Sequence, residues 1–247
     1  MKPKIIQGDC LKEMKKLPSE SIDLILTDLP YGKTKADWDT MLPLDQLWSE
    51  YKRLIKKNHP IVLTAAQPFT SQLILSNRPW WKYNWYWIKC QGTNPMAVHK
   101  QPMSNVEEVC VFYEGQCPYY PKMREGKPYK NHRKDKNRIA EWSGDRFKTH
   151  STINEGSRYP LREIRVNLRR KDRGIHPTQK PVELMEDLIR TYTKPGDTIL
   201  ESCAAKGTTG LAAQNLGRCS FFIEREEKYV QKIKERLDFD AIGKKAA

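Results

Sequence analysis

The sequence predicts an α/β protein built on a largely parallel sheet, and three observations carry that expectation. Apolar runs of strand length alternate with stretches of helical spacing along most of the 247 residues. One run, Ile22-Asp23-Leu24-Ile25-Leu26-Thr27, is nearly continuously apolar, as a central strand covered on both faces would be. Further on, a strand, a loop of small residues and a helix start precede a second strand ending in Glu224. That order suits a doubly wound sheet holding a nucleoside.

The elements follow in order. Lys4–Gln7 reads as a short strand, Gly8-Asp9-Cys10 as a turn, and the stretch near Leu11–Leu17 as a helix. Leu47, Tyr51, Leu54 and Ile55 share one face of a helix over Leu44–Lys56. Ile61–Thr64 is the next strand and Phe69–Leu75 a short helix, while Tyr83–Lys89 and Glu108–Tyr113 are further strands. After a break in the rhythm, Pro181 opens a helix to Tyr192, whose apolar face is Val182, Leu184, Met185, Leu188 and Ile189. Pro195-Gly196-Asp197 is a turn before the strand Thr198–Leu200. A helix from Thr208 ends near Gly217, a residue suited to a left-handed cap. Ser220–Ile223 is a strand, and Glu226–Leu237 the last amphipathic helix.

The break in rhythm is also where the charge lies. The formal charge is +14, and the segment 116–174 holds 17 Lys+Arg against 7 Asp+Glu, or +10 of it. Tyr119, Tyr120, Tyr129, Trp142, Phe147 and Tyr159 are interleaved there. Basic side chains among aromatics fit phosphate contacts with stacking or groove insertion, so an anionic polymer is the expected partner. Runs such as Arg169-Arg170-Lys171 are equally compatible with a solvated loop. The expected organisation is 1–115 and 175–247 as two parts of one domain, with 116–174 as an inserted region. Six cysteines (10, 90, 110, 117, 203, 219) show no metal-ligand spacing and suit free thiols in a reducing cytoplasm. The start, Met1 to Ile6, lacks the apolar stretch of a signal peptide, and no window is long enough to span a membrane.

Two constellations carry chemistry. Asp28-Leu29-Pro30-Tyr31 stands at the end of the Ile22–Thr27 strand. A carboxylate there can accept a hydrogen bond from an exocyclic amine, a tyrosine can stack on a base, and Pro30 restricts the backbone of Leu29. The same tetrapeptide also suits an ordinary turn. The second constellation is Glu201-Ser202-Cys203-Ala204-Ala205-Lys206-Gly207-Thr208-Thr209-Gly210, a small-residue loop running into a helix start, where backbone N–H groups favour a carboxylate or phosphate. Lys206 precedes Gly207, so the loop is not a phosphate-binding loop, nor does it fit G-x-G-x-x-G.

Together these motifs resemble the amino-methylating DNA methyltransferases of the class in which the catalytic motif precedes the cofactor motif. Asp28-Leu29-Pro30-Tyr31 is similar to that family's D-P-P-Y. Glu201 to Gly210 is similar to its D-P-F-x-G-S-G-T-T-G loop, and Leu216-Gly217-Arg218 through Ile223-Glu224 to its ribose-binding strand. His176-Pro177-Thr178-Gln179-Lys180-Pro181 is similar to the segment leading into the cofactor site, and Gly8-Asp9-Cys10 to the segment beside the cofactor adenine. The resemblance implies a Rossmann-like S-adenosylmethionine-dependent fold with a seven-stranded, largely parallel sheet. It implies a base flipped out of double-stranded DNA, most simply adenine, because the first motif residue is an acid. N4-cytosine methylation and an inactive DNA-binding relic are the alternatives.

By carry-over, Asp28 and the Leu29 carbonyl would hold the amine, with Pro30 fixing the loop and Tyr31 stacking on the base. Asp9, Cys10, Thr178, Lys180, Glu201, Cys203, Ala205, Gly207, Thr208, Thr209 and Glu224 would surround S-adenosylmethionine. Lys130, Arg133, Lys134, Arg169, Arg170 and Lys171 are the expected DNA contacts, and no metal is expected. Members of the class dimerise, so a homodimer is a further expectation; a restriction endonuclease partner is not legible. Three departures from the pattern matter: Leu29 for proline, Glu201 for aspartate, and Ala205-Lys206 for Gly-Ser. A Cβ at 205 would crowd the cofactor, or is tolerated if φ is negative. Lys206 would point outward or towards the methionine carboxylate.

Overall fold

The computed structural model describes residues 3–34, 36, 38–93, 95–132, 151–167 and 179–243. The chain divides into two compact units, one of residues 1–120 with 162–247 and one of residues 121–161.

In the larger unit, β1 (Lys4–Gln7), α1 (Cys10–Met14), β2 (Leu24–Asp28), α2 (Leu44–Leu54), β3 (Ile61–Ala65) and α3 (Phe69–Ser76) alternate as expected. β4 (Trp81–Thr93) and β5 (Ser104–Phe112) form a hairpin longer than the apolar pattern indicated. Residues 104–106 are exposed, so this part of the hairpin carries no buried face for the pattern to reveal. β6 (Arg124–Glu125), β7 (Tyr129–His132), β8 (Ser151–Asn154) and β9 (Ser157–Arg158) belong to the smaller unit. β10 (Glu163–Arg165), α4 (Val182–Tyr192), β11 (Thr198–Glu201), α5 (Thr208–Asn215), β12 (Cys219–Glu224) and α6 (Glu227–Gly243) complete the larger one.

Its sheet has the order β1-β12-β11-β2-β3-β5-β4-β10. All neighbours are parallel except β5, which runs antiparallel to both β3 and β4. The sheet therefore has eight strands among the described residues; the addition to the expected seven is β10, three residues pairing with Tyr86–Ile88 of β4.

Strand β2 explains why the sheet is covered on both faces. Its alternate residues serve two cores: Ile25 packs with Met14, Leu47, Tyr51, Leu54 and Leu73, whereas Leu24 and Leu26 pack with Leu184, Leu188, Ile189 and Ala212. The adjacent strands β11 and β2 lead into helices towards opposite ends of the strand order, since β11 continues to β12 and β2 to β3. Their carboxyl ends thus flank the crevice where doubly wound sheets bind ligands. Gly217, at φ 70°, caps α5 in the left-handed region as its sequence position suggested.

Among its described residues the smaller unit has two antiparallel pairs, β6 with β9 and β7 with β8. The Arg158 guanidinium lies 4.6 Å from the Tyr129 ring centroid. Ile153, Tyr159 and Leu161 are exposed.

Candidate active site

The loops after β1, β2, β11 and β12 converge on one cleft of about 200 Å³, lined by Asp9, Cys10, Asp28, Leu29, Pro30, Tyr31, Lys180, Cys203, Ala205 and Glu224 among others. A smaller recess of about 50 Å³ shares Asp28, Lys180, Cys203 and Ala205 with it and adds Gln179, Glu201, Lys206 and Thr208. Asp28 and Glu201, 173 positions apart in the chain, therefore line one recess because β2 and β11 are neighbours.

Asp28 is held from both sides. Its Oδ1 accepts from the Tyr31 hydroxyl at 2.8 Å and from the Thr64 hydroxyl, and its Oδ2 accepts from Lys180 Nζ at 2.9 Å. Lys180 also faces Glu107 Oε2 at 3.2 Å, and Glu107 is in turn paired with Lys89. Desolvation acts to lower the Lys180 ammonium, but Asp28, Tyr31 and Glu107 outweigh it and hold it well above its ordinary value. Glu107 is the converse case: burial opposes ionisation, yet Lys180 and Lys89 keep its carboxyl below the usual range. Burial, then the Asp28 charge, pushes the Tyr31 phenol far up, so it remains a donor. The Tyr31 ring stacks on Phe69 with centroids 5.3 Å apart.

The loop after Asp28 is fixed by a residue that its sequence does not flag. Asp39 accepts four consecutive backbone N–H bonds: Oδ1 from Tyr31 (2.8 Å) and Gly32 (2.9 Å), Oδ2 from Lys33 (2.9 Å) and Thr34 (2.6 Å). Burial opposes its charge, but a Thr34 side-chain hydrogen bond and the backbone bonds from Thr34, Gly32 and Lys33 prevail and hold its carboxyl below the ordinary value.

Across the cleft, Glu201 is 3% exposed. Its Oε1 accepts from the Thr209 hydroxyl at 2.6 Å, while its Oε2 has no hydrogen-bond partner among the described residues. Burial, against the Thr209 hydrogen bond, pushes this carboxyl well above the ordinary range. Both amide atoms of neighbouring Gln179 also lack partners among the described residues. Such groups are expensive to bury alone, which marks the recess as a place for a polar ligand. No side chain caps the first turn of α5, leaving its N–H groups available to an anion. Gly207 precedes it at φ 66°, where a Cβ would lie 3.1 Å from Ile233.

Glu224 Oε2 accepts from the Ala205 N–H at 2.7 Å and Oε1 from the Glu226 N–H at 2.8 Å. These bonds aim the carboxylate into the cleft, while burial raises it above the usual value. Ala205 sits at φ 46°, so the branch in which a negative φ accommodates its Cβ does not hold. Lys206 is 8% exposed and lines the smaller recess. Desolvation, then repulsion from Lys232 and Arg236, lowers its ammonium. Asp9 accepts from the Lys12 N–H at 3.1 Å as the cap of α1, and Cys10 follows it at the rim of the cleft.

The structure thus brings Asp28 to Tyr31 together with Asp9, Cys10, Lys180, Glu201, Cys203, Ala205, Thr208, Thr209 and Glu224 around the adjoining cavities and the Glu201 carboxylate. Lys130 lies on β7, exposed, in the smaller unit. Thr178, Arg133, Lys134, Arg169, Arg170 and Lys171 lie outside the described residues. Thr64, Asp39, Glu107 and Gln179 are the site groups that the motifs do not single out. No cluster of metal-ligating side chains occurs among the described residues, and no helix among them is long and apolar enough to cross a membrane.

A doubly wound sheet with an acid at the end of one central strand, and two buried acids around a small-residue loop, makes a crevice suited to a nucleoside. The DNA methylase family model for N6 and N4 amino-methyltransferases matches residues 22–235, and the chain belongs to that family. It is 27% identical to the type II methyltransferase M.HinfI of Haemophilus influenzae, over 94% of this chain and 67% of that protein. Among solved structures it is similar to the M1.HpyAVI–SAM complex, with TM-score 0.63, 24% identity and coverage of 95% of this chain and 100% of the other. It is also similar to the PvuII DNA methyltransferase, described as cytosine-N4-specific, with TM-score 0.66, 18% identity and coverage of 94% and 85%.

Proposed function

We propose that this protein transfers a methyl group from S-adenosylmethionine to the N6 amine of adenine in double-stranded DNA. The observation that carries the reading is the shared cleft. An anchored acid, Asp28, stands on one wall, and the nucleoside-suited groups Glu201, Glu224 and the uncapped start of α5 stand on the other.

The residues fit the cofactor. The unpartnered Glu201 Oε2 suits the methionine ammonium, and the open first turn of α5 at Thr208 and Thr209 suits its carboxylate. Glu224 keeps lone pairs for a ribose diol, and Asp9 and Cys10 border the place for the adenine. When bound, S-adenosylmethionine supplies an electrophilic methyl group on a sulfonium. Asp28 then holds the incoming amine by accepting its N–H, aims the nitrogen lone pair across the cleft and stabilises the positive charge that develops on nitrogen. Tyr31, backed by Phe69, offers a surface for the base. The basic segment 116–174 is the proposed DNA-contacting region, with Lys130 among its exposed cations.

Adenine is favoured because the motif opens with an acid. The likeness to a cytosine-N4-specific structure supports N4-cytosine as the second reading. Nucleoside mass spectrometry of DNA treated with the protein and cofactor tests the choice. N6-methyladenine is the expected product, and N4-methylcytosine alone would reverse it.

A further inference from the structure

Lys180, expected among the cofactor contacts, lines both adjoining cavities, and its ammonium is bonded to the Asp28 side. It donates to Asp28 Oδ2 at 2.9 Å and faces Glu107 at 3.2 Å. An ammonium has three donors, so these two carboxylates account for at most two of them. The nitrogen also stands over the Tyr31 ring, 5.4 Å from its centroid. A base lying roughly 3.5 Å off that ring, at van der Waals contact, would present an edge atom to the ammonium.

We infer that Lys180 reads the ring nitrogen next to the exocyclic amine. This rests on the methyltransferase reading above. Asp28 accepts from the amine, and the remaining Lys180 N–H donates to the adjacent nitrogen lone pair. Adenine (N6 amine beside N1) and cytosine (N4 amine beside N3) both carry that donor–acceptor pair on one edge. Thymine has no amine, and the Watson–Crick edge of guanine sets an N1–H donor beside its amine instead. Lys180 and Asp28 together thus select the class of base, and their ion pair keeps the two groups in register before the base arrives. Glu107, fastened by Lys89, is the positioning residue that holds the ammonium from behind.

The experiment uses full-length protein and duplexes containing its own site, located by modified-base sequencing of DNA that it has methylated. The target adenine is replaced by 1-deazaadenine, which keeps the amine and changes N1 to C–H; 3-deazacytosine serves if the target is cytosine. Wild-type kcat/KM should fall about tenfold or more on the deaza duplex, as loss of a hydrogen bond to a charged donor requires. The Lys180→Met variant should be slow on both duplexes and lose at least about tenfold less than the wild type on the deaza duplex. Any change in amine nucleophilicity affects both enzymes alike, so the two ratios isolate the contact. Equal wild-type rates on the two duplexes overturn the inference while leaving the methyltransferase reading intact. So does a Lys180→Met ratio as large as that of the wild type. Should Lys180→Met fail to fold, the wild-type comparison decides alone. Wild-type protein that methylates no DNA overturns the underlying reading, and this inference with it.

Discussion

Replacing Asp39 by asparagine removes little volume but disturbs four hydrogen bonds that fix the loop after Asp28. Each carboxylate oxygen takes two adjacent backbone N–H groups, those of Tyr31 and Gly32 on one and Lys33 and Thr34 on the other. However the new amide is turned, its NH2 faces two N–H donors and two bonds are lost. Charge-assisted bonds contribute about 1.5 kcal/mol each at the lower end, giving about 3 kcal/mol. Gly32, Lys33 and Thr34 are exposed, so water can take up part of the loss, and about 2 kcal/mol is the better figure. Expressed in the transition state, that is a fall in kcat of about thirtyfold. Expressed in global stability, it is a drop in Tm of about 4–8 °C.

The sign of the pH effect follows from the Asp39 carboxyl lying below its ordinary value of 3.8. Its stabilisation is complete above the unfolded value and is lost as pH falls through the lower folded one. The stability gap between wild type and Asp39→Asn should therefore stay constant at neutral pH and narrow below about pH 4. Labelled-methyl transfer to DNA and thermal melts across that range measure both effects. An Asp39→Asn protein within twofold of wild-type kcat and 1 °C of its Tm would refute the reasoning.

Ala205→Gly should raise the Tm. Relief of a left-handed alanine contributes about 1–2 kcal/mol, and the entropy of glycine takes back about 0.5–1; a rise of about 1.5–3 °C follows, and a fall counts against strain at this loop. Glu201→Gln should stabilise the cofactor-free protein, increasingly as pH rises above 4.5. The raised carboxyl of Glu201 contributes its stability below that value and loses it as pH climbs through the folded one, whereas glutamine does not titrate. The same variant should bind S-adenosylmethionine about tenfold or more weakly by calorimetry, since the ammonium loses its counter-charge. Binding to duplex DNA should weaken linearly on a logarithmic salt scale, and Lys130→Ala should reduce that slope by about one. An unchanged slope removes Lys130 from the phosphate contacts.

The fold was legible because its strands are buried on both faces. Leu24, Ile25 and Leu26 serve two cores, so their strand reads as a continuous apolar run. The far part of the β4–β5 hairpin and the pairs in the smaller unit were less legible, because exposed strands of two to four residues leave no period to detect. In the site, the groups adjoining motif glycines and prolines could be placed from the chain alone. Asp39 and Glu107 could not. One acts through backbone N–H groups of any residue type, and the other meets Lys180 only because β5 pairs with β3 beside β2. Lys180 shows the limit most plainly, since its place in a motif does not reveal that its ammonium is bonded to Asp28.

The central claim is that Asp28 presents an exocyclic amine to a methyl donor held across the same cleft. Asp28→Ala tests it most directly when two quantities are measured on one folded sample, S-adenosylmethionine affinity by calorimetry and labelled methyl transfer to DNA by nucleoside mass spectrometry. The expected result is wild-type label in N6-methyladenine, with transfer by Asp28→Ala reduced by at least about a hundredfold and cofactor affinity within a few fold of wild type. Methyl transfer by Asp28→Ala at the wild-type rate, or wild-type label found on a ring carbon, would contradict it.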